Sequence, residues 1–320
     1  MKQTIYLMAI REALDEELQR DDKVFILGED VQQGTFGTTT GLVDKFGPER
    51  IMDTPLAETA VAGAAIGAAQ AGFRPVADMM FGDFMYIAGD EIMLKAAKWR
   101  FLHGGKVNVP VVIMAAVGGG MKLGAEHSMI PEAMIMHTPG LKLAVPSTPY
   151  DAKGLLKTAI RDDNPVVFFY HKGLLGLPGE IPEDEYLIPF GQADVKREGS
   201  DVTVVATSAM VQQSLAVAEQ IKDKVSVEIV DPRTLEPFDL DTIIESVKKT
   251  GRVVIVDEDT KRCGITAEIG MQIMENGFDY LDAPIQRVAA ANMPIAAGFM
   301  EEHVLPQPKN IAGAIEAVMA

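Results

Sequence analysis

From Tyr6 to Arg20 apolar residues recur at helical spacing, with Met8, Ile10, Ala13, Leu14 and Leu18 on one face. This pattern predicts an amphipathic helix. The run Val24-Phe25-Ile26-Leu27, closed by Gly28, predicts a buried strand, and Arg50-Ile51-Met52-Asp53 a second one stopped by Thr54-Pro55. Glu58 to Gly72 returns to a helical pattern made almost wholly of alanine and glycine. Pro75 to Met80 is extended and Ala88 to His103 helical, while Val109 to Val117 is continuously apolar and short. Such a run predicts a strand covered on both faces, as in a parallel sheet. Pro149 to Asp162 predicts a helix with Pro149 preset for its first turn, and Val166 to Tyr170 a further strand. Strands alternating with helices predict an α/β fold with a doubly wound, mostly parallel sheet.

The segment Gly176 to Pro189 breaks this pattern. It carries Pro178, Pro182 and Pro189 among Glu180, Glu183, Asp184 and Glu185, and has no helical period, so it reads as a linker. Beyond it, Asp201–Ala206, Val225–Val230 and Arg252–Val256 read as buried strands, separated by helices at 211–222 and 240–250. The expected organisation is a first domain over 1–176, a linker over 177–190, and a smaller α/β domain over 191–320.

Composition narrows the function classes. Of 320 residues, 48% are hydrophobic and 23% charged, which suits a folded chain with real cores. The formal net charge of −17 argues against nucleic acid and anionic membranes as partners, since both select cationic surfaces. The one cysteine, Cys263, excludes an intrachain disulfide framework and suits a reducing compartment. The most apolar stretch, Thr59 to Ala69, is shorter than the roughly 20 residues that span a bilayer. The charged N-terminal segment lacks a signal-peptide core, so the expected location is the cytoplasm.

Two ionisable residues attract notice. Glu58 stands at the predicted start of the alanine-glycine helix, where the macrodipole and free amides favour a carboxylate. It is either an ordinary first-turn glutamate or a catalytic carboxyl at an interface, because a helix of such small side chains admits another backbone very close. His127 lies beyond the glycine run Gly118-Gly119-Gly120, just past a predicted strand end. Ligands of open α/β sheets bind at such ends, and a histidine there moves protons near neutrality; the alternative is a plain loop histidine. Phe81 and Phe84 flank Asp83 after another strand and read either as core or as a platform for a flat ring. The chain has no P-loop, no Gly-x-Ser-x-Gly elbow and no His-Glu-x-x-His, and the other histidines show no metal-ligand spacing.

Taken together, Gly28-Glu29-Asp30-Val31, Asp53-Thr54-Pro55-Leu56-Ala57-Glu58, His127-Ser128, Pro139-Gly140-Leu141-Lys142, Pro146 to Leu156 and Val230-Asp231-Pro232-Arg233-Thr234-Leu235-Glu236-Pro237 resemble the beta subunits of thiamine-diphosphate-dependent 2-oxo acid and acetoin dehydrogenases. The likeness runs through the whole chain in order. It implies a transketolase-like pyrimidine-binding domain followed by a transketolase C-terminal domain. It also implies an α2β2 assembly with thiamine diphosphate between subunits, and docking to a dihydrolipoyl acyltransferase core through an acidic second-domain surface. The diphosphate motif of such enzymes, Gly-Asp-Gly with a downstream Asn, is absent, and Gly82-Asp83-Phe84 lacks the second glycine. The alpha subunit is therefore expected to hold the diphosphate and its magnesium ion, leaving the aminopyrimidine to this chain.

Carried over position by position, the resemblance makes Glu58 the glutamate that hydrogen-bonds the pyrimidine ring nitrogen, and Phe84 the aromatic packed on the pyrimidine face. His127 becomes the histidine of the active-site channel, serving proton transfer or the arriving lipoyl group, and Glu29 an acidic neighbour of the cofactor. Some relatives bind potassium, and the matching positions are Val109, Val111, Val112, Ala159, Asp162 and Asn164. The chain departs from many relatives at Met129, where they carry Gln, and at Met114-Ala115-Ala116, where an arginine is common. Both changes lower polarity. Tyr170-His171-Lys172-Gly173-Leu174-Leu175 resembles the His-Lys-Leu-Leu of acetoin dehydrogenase beta subunits, while pyruvate and branched-chain 2-oxo acids stay open as substrates. A non-catalytic scaffold or regulatory subunit that kept the fold is the alternative from another class.

Overall fold

The computed structural model describes residues 1–320. The chain opens with a short strand β1 (Lys2–Ile5) and the amphipathic helix α1 (Tyr6–Arg20), which buries Tyr6, Ile10, Ala13, Leu14 and Leu18. Next come β2 (Val24–Gly28), α2 (Leu42–Phe46), β3 (Ile51–Asp53), α3 (Glu58–Gln70) and β4 (Arg74–Phe81). The stretch expected as one helix over 88–103 is instead divided. A 3₁₀ turn at Gly82–Tyr86 precedes a π-helical segment at Asp90–Ala96, which continues as α4 (Ala97–Leu102). Then follow β5 (Val112–Val117), α5 (Glu132–Met136), β6 (Lys142–Ala144), α6 (Pro149–Arg161) and β7 (Val166–His171). Thr148 caps α6 by accepting the Asp151 amide, with Pro149 in the first turn.

The expected linker is not free of structure. Within it, β8 (Pro178–Ile181) pairs antiparallel with β1, a two-stranded ribbon that ties the segment back to the N-terminus. The remainder comprises β9 (Asp194–Arg197), β10 (Val202–Ala206), α7 (Ser208–Ile221), β11 (Val227–Asp231), β12 (Thr234–Glu236), α8 (Leu240–Thr250), β13 (Val253–Thr260), α9 (Ile265–Gly277), β14 (Gln286–Ala290), α10 (Glu301–Val304) and α11 (Pro308–Met319).

Two sheets carry these elements. The seven-stranded sheet has the order β12-β6-β7-β5-β4-β2-β3 and is parallel except for β12; the five-stranded sheet has the order β14-β13-β10-β11-β9 and is parallel except for β9. In the first sheet β3 lies on one side of β2 and β4 on the other, so the winding reverses at β2. That reversal opens a crevice outside the carboxyl ends of β2 and β4. Packing there is tight. A Cβ on Gly28 would stand 2.4 Å from the Asp78 carbonyl oxygen, and only glycine permits the approach.

The two halves are not independent. β12, beyond the linker, adds to the first sheet. One apolar cluster runs from Val61, Ala65 and Ile92 through Val205 and Leu235 to Ile255 and Ile269. A buried ionic knot closes the junction. Asp151, fully buried on α6, accepts from Lys196 Nζ at 2.5 Å and Arg233 Nε at 2.7 Å, while Asp194 takes Lys196 at 2.7 Å and Arg233 Nη2 at 2.9 Å. Ser147 Oγ donates to Asp231. The motifs Pro146 to Leu156 and Asp231-Pro232-Arg233 thus serve the junction between halves. Asp151→Ala, which leaves two buried cations one acceptor short, is expected to cost about 3 kcal/mol, read as a lower denaturant midpoint at unchanged slope.

Candidate active site

The crevice at the sheet's reversal is lined by Glu29, Thr54, Pro55, Leu56, Ala57, Glu58, Val61, Asp78, Met79, Met80 and Phe84. They come from the connections after β2, β3 and β4 and from the end of β4 itself. Glu29 follows β2, Glu58 opens α3 after β3, and Phe84 sits in the 3₁₀ turn after β4. Ala57 precedes α3 without any side-chain cap, so its first amides face the crevice with the positive end of the helix dipole. Thr59 Oγ1 donates to the Ile87 carbonyl at 3.0 Å and fixes this end of α3 against the turn after β4. Burial pushes the Glu29 carboxyl above its usual range, and the negative charges of Asp30 and Glu58 add to the shift.

A third carboxyl that sequence reasoning passed over joins them. Asp78 interrupts the otherwise apolar strand β4 and lines the same crevice. Burial raises it to about 6, opposed by the Met80 amide, which donates to Oδ1 at 2.9 Å. Met80 itself has a φ of +61°, and the β4–β5 register shifts between Asp78 and Phe81. The bulge turns the strand end and re-aims the residues that follow. The clue in the sequence was a lone acid within a buried run, a placement that costs free energy unless it serves a purpose.

His127 does not line this crevice but adjoins it through aromatic contacts. Its ring lies edge-on to Phe81, with centroids 4.7 Å apart, and to Phe84 at 5.5 Å. Phe84 therefore separates the carboxyl crevice from the histidine. The glycine-rich loop carrying His127 is held from outside by charged side chains. Glu258 of β13 accepts the Gly119 amide at 2.6 Å, Glu301 of α10 accepts Gly120 at 2.9 Å and Lys122 at 3.1 Å, and Asp83 accepts Met129 at 3.2 Å. Lys172, just beyond β7, donates to the His127 carbonyl. Gly118, with a φ of +81°, lies so close to His171 that a Cβ would overlap the ring.

The six positions matched to potassium ligands lie at the opposite, amino edge of the sheet. Val109 and Val111 precede β5, Val112 begins it, Ala159 ends α6, and Asp162 and Asn164 precede β7. The Val109 carbonyl accepts from the Val111 amide at 2.9 Å, the Val111 carbonyl from Val166 at 2.9 Å, and Ala159 from Asp162 at 3.3 Å. Lys142 Nζ is paired with the Asp162 carboxylate, and the Asn164 side chain donates to the same carboxylate at 2.9 Å. Nowhere in the chain do three or more His, Cys, Asp or Glu side chains gather as metal ligands. No helix is long and apolar enough to cross a membrane.

Comparison with known proteins agrees with this geometry. Residues 2–178 match the family model "Transketolase, pyrimidine binding domain", and residues 191–311 match "Transketolase, C-terminal domain". The chain is 46% identical to the acetoin:2,6-dichlorophenolindophenol oxidoreductase subunit beta of Cupriavidus necator, over 98% of this chain and 96% of the other. It is equally 46% identical to the 2-oxoisovalerate dehydrogenase subunit beta of Bacillus subtilis (97% of each chain) and 44% identical to the pyruvate dehydrogenase E1 component subunit beta of Rickettsia felis (97% and 96%). Among solved structures, a split-gene transketolase described as an inactive beta4 tetramer shares the fold, with a TM-score of 0.80 at 24% identity over 98% of this chain and 97% of the other.

The crevice depends on the close approach of β2 and β4. Gly28→Ala is expected to force these strands apart at the Asp78 carbonyl and to lower stability by about 1–3 kcal/mol, measured by thermal unfolding of the purified chain.

Proposed function

The chain belongs to the transketolase-like beta subunits of the acetoin, 2-oxoisovalerate and pyruvate dehydrogenase E1 family, and from that premise we propose how its crevice works. Like its family, it depends on thiamine diphosphate and acts with an alpha subunit to cleave or decarboxylate a small ketone or 2-oxo acid and pass the acyl group to lipoamide. A flat aminopyrimidine fits the residues present. Phe84, Met79 and Leu56 supply apolar surface, and Glu58, Glu29 and Asp78 supply carboxyls at one edge. When bound, the cofactor supplies the acidic carbon at which the substrate carbonyl reacts.

What this chain contributes is proton control. Glu58, at the dipole-positive end of α3, holds a proton between its carboxyl oxygen and the pyrimidine ring nitrogen, the general acid–base role. Glu29, raised by burial and neighbouring charge, keeps that edge of the ring in a carboxyl-rich setting. Phe84 would offer its ring to the pyrimidine face and, through its contact with His127, would connect the cofactor site to the histidine we read as passing protons or meeting the lipoyl group. The convergence of Glu58, Glu29 and Phe84 on one crevice carries this reading, and it favours a catalytic subunit over a scaffold.

The crevice is open where a partner would complete it. The outward face of α3 exposes Ala60, Ala64 and Gly67 with nothing packed on Gly67. Beside α3 the chain exposes Tyr86, Ile87, Leu94, Phe101 and Leu102, a large apolar surface of the kind that marks an interface. The alpha subunit covers this face in our reading and brings the diphosphate half of the cofactor with its magnesium. A separate exposed group, Met271, Met274, Phe278 and Tyr280 on and after α9, supplies the second contact that an α2β2 assembly needs. The net charge of −17 suits docking of a basic module of the acyltransferase core. At the amino edge of the sheet, Lys142 already gives Asp162 its counter-charge, so the ammonium stands in for the potassium bound by some relatives.

Glu58→Gln is expected to abolish turnover of acetoin, pyruvate and 2-oxoisovalerate alike while the complex with the alpha subunit still elutes intact; near-normal activity would refute the assignment. Exchanging potassium for choline at equal ionic strength should leave the melting temperature of the chain unmoved, and a potassium-specific rise of several degrees would restore the ion to Asp162.

A further inference from the structure

The segment Tyr170-His171-Lys172, a sequence feature without a role in the scheme above, ends β7 beside the glycine loop. Lys172 is 2% exposed, yet it forms no ion pair within 4 Å. Its ammonium donates to the main-chain carbonyl of His127 and stands 5.3 Å from the centre of the Phe81 ring. Phe81 in turn meets the His127 imidazole edge-on at 4.7 Å. One cation therefore grips the backbone of the histidine and one of the two rings that set its orientation. We propose that Lys172 is a positioning residue for this reaction: it fixes His127 against Phe84 at the cofactor crevice, and its protonated form is the one that does so. This inference rests on the reading of His127 given above.

The surroundings explain how a buried cation is tolerated. Asp83 from the 3₁₀ turn after β4, Glu258 from β13 and Glu301 from α10 all act on Lys172 electrostatically. These are the same carboxylates that accept the loop amides of Met129, Gly119, Gly120 and Lys122. His171 does not compete for the carbonyl. Its Nδ1 accepts the Gly173 amide at 3.0 Å, so Nε2 carries the proton and donates to Glu258 at 2.7 Å. The carboxylates hold the loop at Gly119 to Lys122 and at Met129, and the ammonium holds it at the histidine, near its far end. Burial lowers Lys172 to about 8 despite those three acids, which brings its deprotonation into the accessible pH range.

The sign of the linkage separates this from ordinary alkaline unfolding. The folded-state value lies below that of an exposed lysine, so the unfolded chain binds more protons between about pH 8 and the usual lysine range. Within that window the contribution of Lys172 to stability rises with pH, while its attraction to the Phe81 ring is lost and its hydrogen bond to the His127 carbonyl loses its charge assistance. Activity and stability should therefore part company above pH 8 as far as this group governs them.

The test uses the chain reconstituted with its alpha subunit, assayed by dichlorophenolindophenol reduction with whichever of acetoin, pyruvate and 2-oxoisovalerate it turns over fastest. Lys172→Met, which keeps the length of the apolar stem and removes the ammonium, should lower kcat about tenfold or more with KM changed less than twofold, as expected for misplacement of a catalytic group. Lys172→Arg, which stays protonated, should recover most of the rate and shift the alkaline limb of the kcat profile upward from near pH 8 by one unit or more. In a His127→Ala background, Lys172→Met should cost less than twofold. Melting curves and co-elution with the alpha subunit check that each variant folds and assembles. An alkaline limb in the same place for wild type and Lys172→Arg, or an equal loss from Lys172→Met on both backgrounds, would overturn the proposal. A His127→Ala enzyme at full rate would instead sink the reading of His127 itself, and Lys172 as its positioning residue with it.

Discussion

A loop of glycines has no side chains with which to hold its own shape, and the residues from Gly118 to Lys122 take theirs from charged groups far away in the chain. Glu258 and Glu301 accept amides from Gly119, Gly120 and Lys122, and Asp83 accepts from Met129. Hydrogen bonds to a charged acceptor are worth about 1.5–3 kcal/mol each, and a carboxylate left unpaired after burial costs more than that. The loop and its acids thus support each other: the acids satisfy loop amides, and the amides, with His171 on Glu258, satisfy the acids. This explains why the second half of the chain is fused to the first. β13 and α10 supply the acceptors, and the Asp151–Lys196–Arg233 knot with the shared apolar cluster keeps them in register with the sheet that carries the crevice.

The crevice follows from topology in a different way. A parallel sheet directs every strand's carboxyl end to one edge, and the reversal at β2 leaves a gap there that no helix crosses. Glu29, Glu58 and Phe84 reach that gap because each begins the connection leaving a different strand. Asp78 reaches it from within a strand, by way of the bulge at Met80. Burial raises both Glu29 and Asp78, and for Glu29 the charges of Asp30 and Glu58 add to the shift. A carboxyl raised in this way keeps its proton more readily, and a protonated carboxyl can donate to a nitrogen base.

Periodicity made the helix Tyr6–Arg20 and the central strands of both sheets legible, because burial on one or both faces leaves a direct imprint on the sequence, whereas the short or edge strands β6, β9 and β14 were not read. The strand pairing of β1 with β8 left no such imprint: both are short, and β8 begins with a proline in an acidic stretch. β12 is three residues long and pairs with a strand some 90 positions earlier (Thr234 opposite Ala144), a relation no local pattern records. The helical period over 88–103 was sound as to burial, but backbone hydrogen bonding divides the stretch into π and α turns. At the site, Glu58, Glu29, Phe84 and His127 were legible through their motifs. Lys172, Glu258 and Glu301 were not readable as partners, since the contact of Gly119 with Glu258 spans 139 positions.

The same geometry redirects the question of substrate. Two departures from many relatives reduce polarity, Met114-Ala115-Ala116 and Met129. The first is inside the sheet. Met114, Ala115 and Ala116 are completely buried in β5, with Met114 and Ala116 in the cluster beneath α1 and α6 and Ala115 in the cluster on the other face. Their apolar character answers to packing between layers and says nothing about a ligand. Met129 differs: it is 38% exposed, lies two residues from His127, and its amide is fixed by Asp83. A side chain so placed projects from a held backbone near His127, where a thioether offers weaker hydrogen bonding than an amide would. Relatives named for acetoin, 2-oxoisovalerate and pyruvate stand at 46%, 46% and 44% identity, so overall likeness does not rank the three. Of the two departures, Met129 alone stands at an exposed position of the loop, so it is the one whose side chain is free of packing demands between layers.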